Sequence, residues 1–547
     1  MGDATNRVPQ LEIDATAIPT IPHIFNESVR THAASPAVES FGKRLTYAEV
    51  GEAARAVTSW LQQQGFRKGD RIAIMMPNVM AYPPLLFGIL SGGYVVVNVN
   101  PLYTPRELTH QLRDSGARAL FVLENFGNTV EETLKAVKLD RVVLVAPGDL
   151  LGLKGKIINF VSRRIKKAVP AFSLPGAVTF SQALSQGRSR APSAVEVLPQ
   201  DIAFLQYTGG TTGVSKGAML THANVGANVM QIDVLIGEAL SDLPNPVMIT
   251  ALPLYHIYAL TSCCIHLTHI GGMQVLIANP RDLSGLIDTI KAKKFNSIAL
   301  VNTLYAALVD HPRIREVDFS GLRHSSAGGM ATQAVVARKW KEISGRPIIE
   351  GYGLSETSPV VSSNRTDIAD FTGTVGYALA STQVSIRDAE GNPLPDGQPG
   401  ELCVKGPQVM AGYWNRPEET ARSMTADGFF KTGDVAVIQP DGAIKLVDRI
   451  KDMILVSGFN VYPNEIEDVL ATHPKVAEVA VVGMADAHSG ETVRAIIVPR
   501  DPTLTKEEVI AFARENLTAY KVPKRVDFRD ALPKTNVGKI LRRELRD

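Results

Sequence analysis

Short apolar runs alternate with amphipathic stretches along the first 190 residues of the chain. Residues 71–76, 94–97 and 119–123 are rich in Ile, Val, Leu and Met and predict buried strands, while residues 47–64 and 104–116 carry helical periodicity between them. Alternation of this kind predicts an α/β architecture with a largely parallel, helix-covered sheet. The pattern then repeats. Residues 202–207, 247–252, 296–301, 322–325 and 347–350 read as strands that run into polar or glycine-bearing loops. Parallel strands gather such loops around one crevice at their carboxyl ends. From residue 383 the runs shorten, at 383–387, 400–405, 435–439 and 443–447, and Asp441-Gly442 is a hairpin signal between the last two. A small antiparallel unit is expected there. Beyond residue 452 α/β character returns, and Thr505 with Glu508 forms a capping box that opens a helix through Leu517.

A 547-residue chain with a 45% hydrophobic fraction supports several structural units with sizeable cores. Fifty-seven basic residues against 55 acidic ones leave a net charge of +2, so nothing global points to nucleic acid and any anion specificity must be local. Cys263, Cys264 and Cys403 make neither a disulfide framework nor a Cys-x-x-Cys metal motif, which fits a reducing cytoplasm. The N-terminus lacks the pattern of a signal peptide. Pro77, Pro83 and Pro84 interrupt the apolar stretch 72–100, and Pro253, His256 and His266 interrupt 247–272, so neither reads as a membrane span.

Residues 154–169 differ from their surroundings. Drawn as a helix, they place Ile157, Ile158, Phe160, Val161, Ile165, Ala168 and Val169 on one side, with Arg163, Lys166 and Lys167 opposite and Arg164 at the edge. Two readings are open: the apolar stripe packs on the protein's own sheet, or the basic helix lies on an anionic membrane surface.

The candidate chemistry centres on residues 207–220, YTGGTTGVSKGAML. Glycines 209, 210, 213 and 217, the hydroxyls of Thr208, Thr211, Thr212 and Ser215, and Lys216 offer backbone N–H groups, donors and a cation to a phosphate chain. The sequence Val214-Ser215-Lys216-Gly217 lacks the Gly-Lys-Ser/Thr of a P-loop NTPase. In GYGLSETSP, Tyr352 offers a flat face for a base, Glu356 a hard oxygen ligand for Mg²⁺ and Thr357 a hydroxyl for a phosphate. Asp434 is a candidate for two ribose hydroxyls, with Arg449 beside it. Lys539 follows Gly538 in a loop before a basic tail read as helical, where a delivered cation would stabilise charge developing on phosphorus. His256, after an apolar strand, reads as a gate or wall of an acyl and thiol passage, not as a base, because a carboxylate nucleophile is already ionised at neutral pH.

Taken together, YTGGTTGVSKGAML, ALPLYHIYAL, GYGLSETSP, FKTGDVA, VDRIKDMILVSGFNVYPNEIED and PKTNVGKILRREL resemble the adenylate-forming superfamily over essentially the whole chain, and the bacterial long-chain fatty acid–CoA ligases in particular. The resemblance implies a large N-terminal domain (1–448) of two helix-covered, largely parallel sheets plus a small antiparallel β unit. A hinge (449–452) would carry Asp452, followed by a small mobile C-terminal α+β domain (453–547). It implies that Thr208 to Gly217 embrace the β and γ phosphates of ATP, with Tyr207 beside them in the nucleotide site and Thr208 and Glu356 organising Mg²⁺. Tyr352 would stack on adenine, Gly328 and Gly329 line the base and acyl pocket, Asp434 and Arg449 hold the ribose, and Lys539 bridge carboxylate and α-phosphate. Gly458 would face the passage for coenzyme A. Ser355 stands where threonine is frequent in the family and keeps the hydroxyl. A homodimer is also expected from the resemblance alone. Medium-chain and aryl acid–CoA ligases share these motifs and stay open as alternatives, as does a non-catalytic nucleotide-binding or membrane scaffold protein, which retention of Glu356, Asp434 and Lys539 disfavours.

Overall fold

The computed structural model describes residues 12–208, 215–457, 459–486, 489–535 and 538–546. Two large sheets dominate. In the eight-stranded sheet, Arg71–Met75, Val95–Asn98, Ala119–Leu123, Arg141–Val145 and Ile202–Thr208 run parallel as near-continuous apolar runs, as strands covered on both faces must. Lys216–Thr221 then turns back antiparallel on Ile202–Thr208, with Thr208 opposite Lys216, and Gly412–Tyr413 pairs beyond it. In the nine-stranded sheet, Met273–Leu276, Val247–Thr250, Ser297–Leu300, His324–Ala327 and Ile349–Gly353 lie side by side in parallel. The expected convergence of their carboxyl ends is therefore realised.

Local signals explain the covering helices. Tyr47–Gln63 starts at a capping box of Thr46 and Glu49, and Pro105–Ser115 starts at one of Thr104 and Glu107 and stops where Gly116 takes φ 62°. His222–Leu240 begins the same way at Thr221 and Asn224. The largest core fills the space between the two sheets, joining Ile72, Leu85 and Phe204 to Leu252, Leu260 and Ala299. Cys263, Cys264 and Cys403 are free and buried. Among the described residues no helix is long and apolar enough to cross a membrane.

The antiparallel unit forms as expected from Gln383–Arg387, Gly400–Lys405, Phe430–Ile438 and Ile444–Arg449. Only a few residues further on, Ile454–Val456 belongs to a separate five-stranded sheet that also contains Val476–Asp486, Gly490–Pro499 and Arg525–Phe528. The tail forms a single 3-10 turn, Arg542–Leu545, where a helix was expected.

Residues 154–169 correct a second expectation. The α-helix spans Gly152–Phe160, widens into one π turn at Val161–Ile165, and ends before Lys167, whose φ is 47°. The π turn rotates the following side chains, so Arg163 points inward and grips the buried Glu124 at 2.7 Å. The apolar stripe faces outward: Leu153, Ile157, Phe160 and Ile165 are 79, 64, 60 and 66% exposed. Of the stripe, Ile158 packs against the main core, while these four side chains stay in solvent.

One glycine fixes where the motif after the Ile349–Gly353 strand can sit. A Cβ on Gly353 would lie 2.0 Å from the carbonyl oxygen of Pro359, which accepts from the backbone N–H of Leu354 across the turn holding Ser355, Glu356 and Thr357. Overpacking of this kind costs about 1–3 kcal/mol, more than the roughly 1 kcal/mol that strand propensity could return. Gly353→Ala should therefore lower the calorimetric melting transition of the larger unit; an unchanged transition would show that the turn is not tightly packed.

Candidate functional site

Strand pleating decides which residues of the nine-stranded sheet share a face. Val301 and Ser297, Gly328, Ser326 and His324, and Gly353, Gly351 and Ile349 all line one cavity of about 1310 Å³, including its open mouth. The opposite wall comes from the helix His222–Leu240, through Ile232, Leu235, Ile236 and Leu240, and from the π-helical segment Ala259–Ile265. Gly329 adopts φ 81°, a conformation glycine takes without strain, and this turns the chain away at the mouth.

The hairpin Phe430–Ile438/Ile444–Arg449 sets the polar rim. Its register puts Asp434 directly opposite Arg449, whose Nε lies 3.0 Å from Asp434 Oδ1. The Tyr352 hydroxyl donates to Asp434 Oδ2 at 2.6 Å. A carboxylate offers about four acceptor positions, so Asp434 keeps room for further hydroxyl donors. Burial, reinforced by the Asp434 charge, drives the Tyr352 hydroxyl far above its usual range and keeps it a donor.

Lys539 enters the same cavity from the small unit. The bridge Lys534↔Ile540 closes its loop, and Thr535 receives the Lys539 N–H through Oγ1 at 3.1 Å and donates its own N–H to the Lys539 carbonyl at 2.7 Å. Gly538, at φ 82°, packs so closely on Thr303 of the larger unit that a Cβ would sit 2.3 Å from its hydroxyl. Burial lowers the Lys539 pKa to about 8, with Arg449 and Lys451 adding repulsion and Asp434 opposing it. Among the described residues no carboxylate comes within ion-pair distance of its ammonium.

Glu356 sits on the turn Ser355–Thr357. Its Oε1 accepts from the Tyr413 hydroxyl at 2.8 Å, and burial holds its carboxyl above the usual range. Tyr413 in turn lies under the Lys216 ammonium, 5.3 Å from ring centroid to nitrogen, and Lys216 is paired with Glu419. Tyr413 and Glu419 thus tie Glu356 to the exit of the glycine-rich loop. Sequence reasoning missed both, because their proximity follows from the pairing of Gly412–Tyr413 with Lys216–Thr221.

Two expected ligand contacts are differently placed. Thr357 is fully buried and its Oγ1 accepts from Leu354 N at 3.0 Å and donates to Pro359 O at 2.5 Å, so it closes the turn; Ser355 lines the cavity instead. Tyr207 points to the far face of the eight-stranded sheet, where its hydroxyl donates to Asp114 at 2.7 Å, while Thr208 ends the strand on the other face. Residues Gly209, Gly210, Thr211, Thr212 and Gly213, and Gly458 in the small unit, lie outside the described residues. His256 lines the cavity as expected of a wall, and burial lowers its pKa to about 4, leaving it neutral. Asp452 accepts from Arg546 at 2.8 Å and lies 3.6 Å from Arg542, between the two units.

The arrangement can hold a polyanion and a diol at the rim, and an apolar acid below. Comparison with known proteins agrees. The AMP-binding enzyme family matches residues 25–414, and the AMP-binding enzyme C-terminal domain matches residues 465–539. A long-chain-fatty-acid–CoA ligase of Escherichia coli O6:H1 is 49% identical over 99% of this chain and 97% of its own length. A feruloyl-CoA synthase of Amycolatopsis is 35% identical over 93% of this chain and 95% of its own. Among solved structures, ATP-bound MatB from Rhodopseudomonas palustris superposes with a TM-score of 0.81 at 28% identity, covering 96% of this chain and 98% of that one. Matches of this extent, on both the larger and the smaller unit, establish that the chain belongs to the AMP-binding enzymes.

Proposed function

We propose that the chain is an ATP-dependent long-chain fatty acid–CoA ligase that joins a fatty acid to coenzyme A through an acyl-adenylate. The observation that carries this reading is the buried Lys539 ammonium at the mouth of a cavity whose depth is walled by Ile232, Leu235, Ile236, Leu240 and Met248. In the first half-reaction a carboxylate oxygen attacks the α-phosphorus of ATP and diphosphate leaves. Two anions must approach each other, and in a low-dielectric site their repulsion is large. Lys539 offsets it by standing between carboxylate and α-phosphate. Asp434 and Arg449 hold the ribose, the face of Tyr352 meets adenine, and Lys216 with residues 208–213 takes the terminal phosphates.

The residues present suit Mg²⁺. Glu356 and Thr208 are hard oxygen donors on elements that pack together, Glu356 Oε2 is unengaged by Tyr413, and a site with so few protein oxygens is typical of Mg²⁺ held largely by substrate phosphates. Bound there, the ion would neutralise phosphate charge. In the second half-reaction the thiol sulfur attacks the acyl carbonyl and AMP leaves, which requires the space Lys539 fills. Withdrawal of the small unit about 449–452, with Asp452 released from Arg542 and Arg546, would open it. His256 and Gly458 would border the thiol's path.

The acid is water-insoluble and collects in membranes. The outward stripe Leu153, Ile157, Phe160 and Ile165, bordered by exposed Lys156, Arg164, Lys166 and Lys167, supports peripheral docking on an anionic cytoplasmic surface.

Diphosphate exchange across a panel of acids tests the substrate. Each methylene withdrawn from water is worth up to about 0.8 kcal/mol, so palmitate can gain at most roughly 6 kcal/mol over octanoate. kcat/KM should rise from octanoate to palmitate or oleate; a maximum at octanoate or at an aryl acid would overturn the long-chain assignment. The protonated form of Lys539 is the one that stabilises the attack, so kcat/KM for adenylation should fall as pH rises through about 8. Lys539→Arg, which keeps its charge, should lose that limb; a wild-type profile flat to pH ~10 would contradict the role. Charge reversal at Arg164, Lys166 and Lys167 should weaken binding to anionic vesicles about a hundredfold or more, at about 1 kcal/mol per cation, without altering exchange with octanoate. Unchanged vesicle binding would remove the docking surface.

A further inference from the structure

The glycine-rich phosphate loop has two stems, and one helix holds both from behind. Pro105–Ser115 packs on the face of the eight-stranded sheet that carries Val97, Leu205 and Tyr207, away from the other large sheet. His110 and Asp114 are four residues apart and so stand one above the other on the same side of this helix. At the entry stem, the Tyr207 hydroxyl donates to Asp114 Oδ2 at 2.7 Å. At the exit stem, His110 Nε2 lies 3.1 Å from the carbonyl oxygen of Ser215. A carbonyl only accepts, so Nε2 carries the hydrogen of this bond. Burial and the Asp114 carboxylate drive the Tyr207 hydroxyl far above its usual range, which keeps it a donor.

A third segment braces the same aspartate. Arg416 Nη2 donates to Asp114 Oδ1 at 2.8 Å, and the Trp414 indole donates to the Asp114 carbonyl at 3.1 Å. Between them Asn415 takes φ 54°, a left-handed conformation that asparagine tolerates, and the bend lets both neighbours reach one residue. The Trp414 N–H in turn donates to the Gly217 carbonyl at 2.8 Å, and Gly217 pairs with Tyr207 across the hairpin. Tyr207, Asp114, Trp414 and Gly217 thus close a ring around the base of the loop. Both carboxylate oxygens of Asp114 are engaged in holding it, on a side chain only 10% exposed. His110 and Asp114 line a solvent-open groove outside the acyl cavity, so their effect on a ligand passes through Tyr207 and Ser215. Groups that must meet a phosphate chain have to be held to within about 0.5 Å, and a misplacement of about 1 Å can cost roughly a hundredfold.

We propose that His110 and Asp114 are positioning residues for the phosphate loop: they fix the spacing of its two stems, and with it the grip of the loop on the β and γ phosphates of ATP, without contributing to the adenosine or acyl subsites. The inference rests on the ligase reading for the reaction it serves, and adds to that reading two residues remote from the substrate.

The test is isothermal titration of the whole chain with ATP and Mg²⁺ and, separately, with AMP, which shares the adenosine and α-phosphate but lacks the other two phosphates. The readout is the ratio of the AMP Kd to the ATP Kd within each protein, so a partial loss of folded protein or a general weakening cancels. Beside the wild type stand His110→Leu and Asp114→Ala, which remove the contacts, and His110→Gln and Asp114→Asn, which can rebuild them. A glutamine amide nitrogen donates from near the Nε2 position, and an asparagine amide accepts from Arg416 while donating to the Tyr207 oxygen. His110→Leu and Asp114→Ala should each lower the ratio about tenfold or more, and the two conservative variants should restore most of it. A ratio unmoved in both removal variants, whether or not overall affinity falls, overturns the positioning role and leaves the ligase intact. Diphosphate exchange with palmitate on the same preparations separates the two readings: a wild-type chain that binds ATP but supports exchange with no long-chain acid overturns the ligase assignment, whatever the ratio does.

Discussion

A lysine ammonium has been taken out of water and set at the mouth of a cavity without a carboxylate to pair with it among the described residues. Removing such a charge from solvent costs several kcal/mol even after relaxation. Burial therefore lowers the Lys539 pKa to about 8, and Arg449 and Lys451 add to the strain while Asp434 relieves part of it. In the proposed reaction, adenylation brings two anions to it, the carboxylate and the α-phosphate. The loop that carries Lys539 is held by its own hydrogen bonds and by the tight seat of Gly538 on Thr303, so on the proposed reading the docked small unit and the substrate anions would stabilise one another. In the proposed reaction, departure of diphosphate and conversion of the carboxylate into the uncharged acyl group of the adenylate would return the lysine to an unfavourable position. That is a physical reason for the small unit to withdraw before the thiol enters.

Much of this was legible in the chain. Continuous apolar strands required a covered parallel sheet, and the loops after residues 252, 301, 325 and 350 had to meet at one edge. The Asp441-Gly442 hairpin put Asp434 and Arg449 across from each other. Side-chain direction was harder to read. Tyr207 and Thr208 are neighbours in sequence but face opposite sides of a strand, so only one can approach the loop's ligand. Thr357 looked like a phosphate hydroxyl because its chemistry fits; the turn closed by Leu354 and Pro359 consumes that hydroxyl and leaves Ser355 exposed to the cavity. Tyr413 carried no signal, because its contact with Glu356 depends on a two-residue strand added at a sheet edge.

Residues 154–169 show how a helical projection can mislead. A uniform 3.6-residue period places Arg163 with the other cations, but the π turn at Val161–Ile165 sends it inward to Glu124. The anchored arginine fixes the helix with its apolar stripe outward. On the proposed reading, a surface of that kind would link the supply of an insoluble acid to the same chain that performs the chemistry.

The central claim is that the cation of Lys539 serves the adenylation step alone, and the two half-reactions of Lys539→Ala test it most directly. Loss of one preorganised donor typically costs about 10²–10³ in rate, so acyl-adenylate formation should fall by that factor while thioester formation from supplied acyl-adenylate and coenzyme A stays near the wild-type rate. Equal losses in both half-reactions would contradict the account.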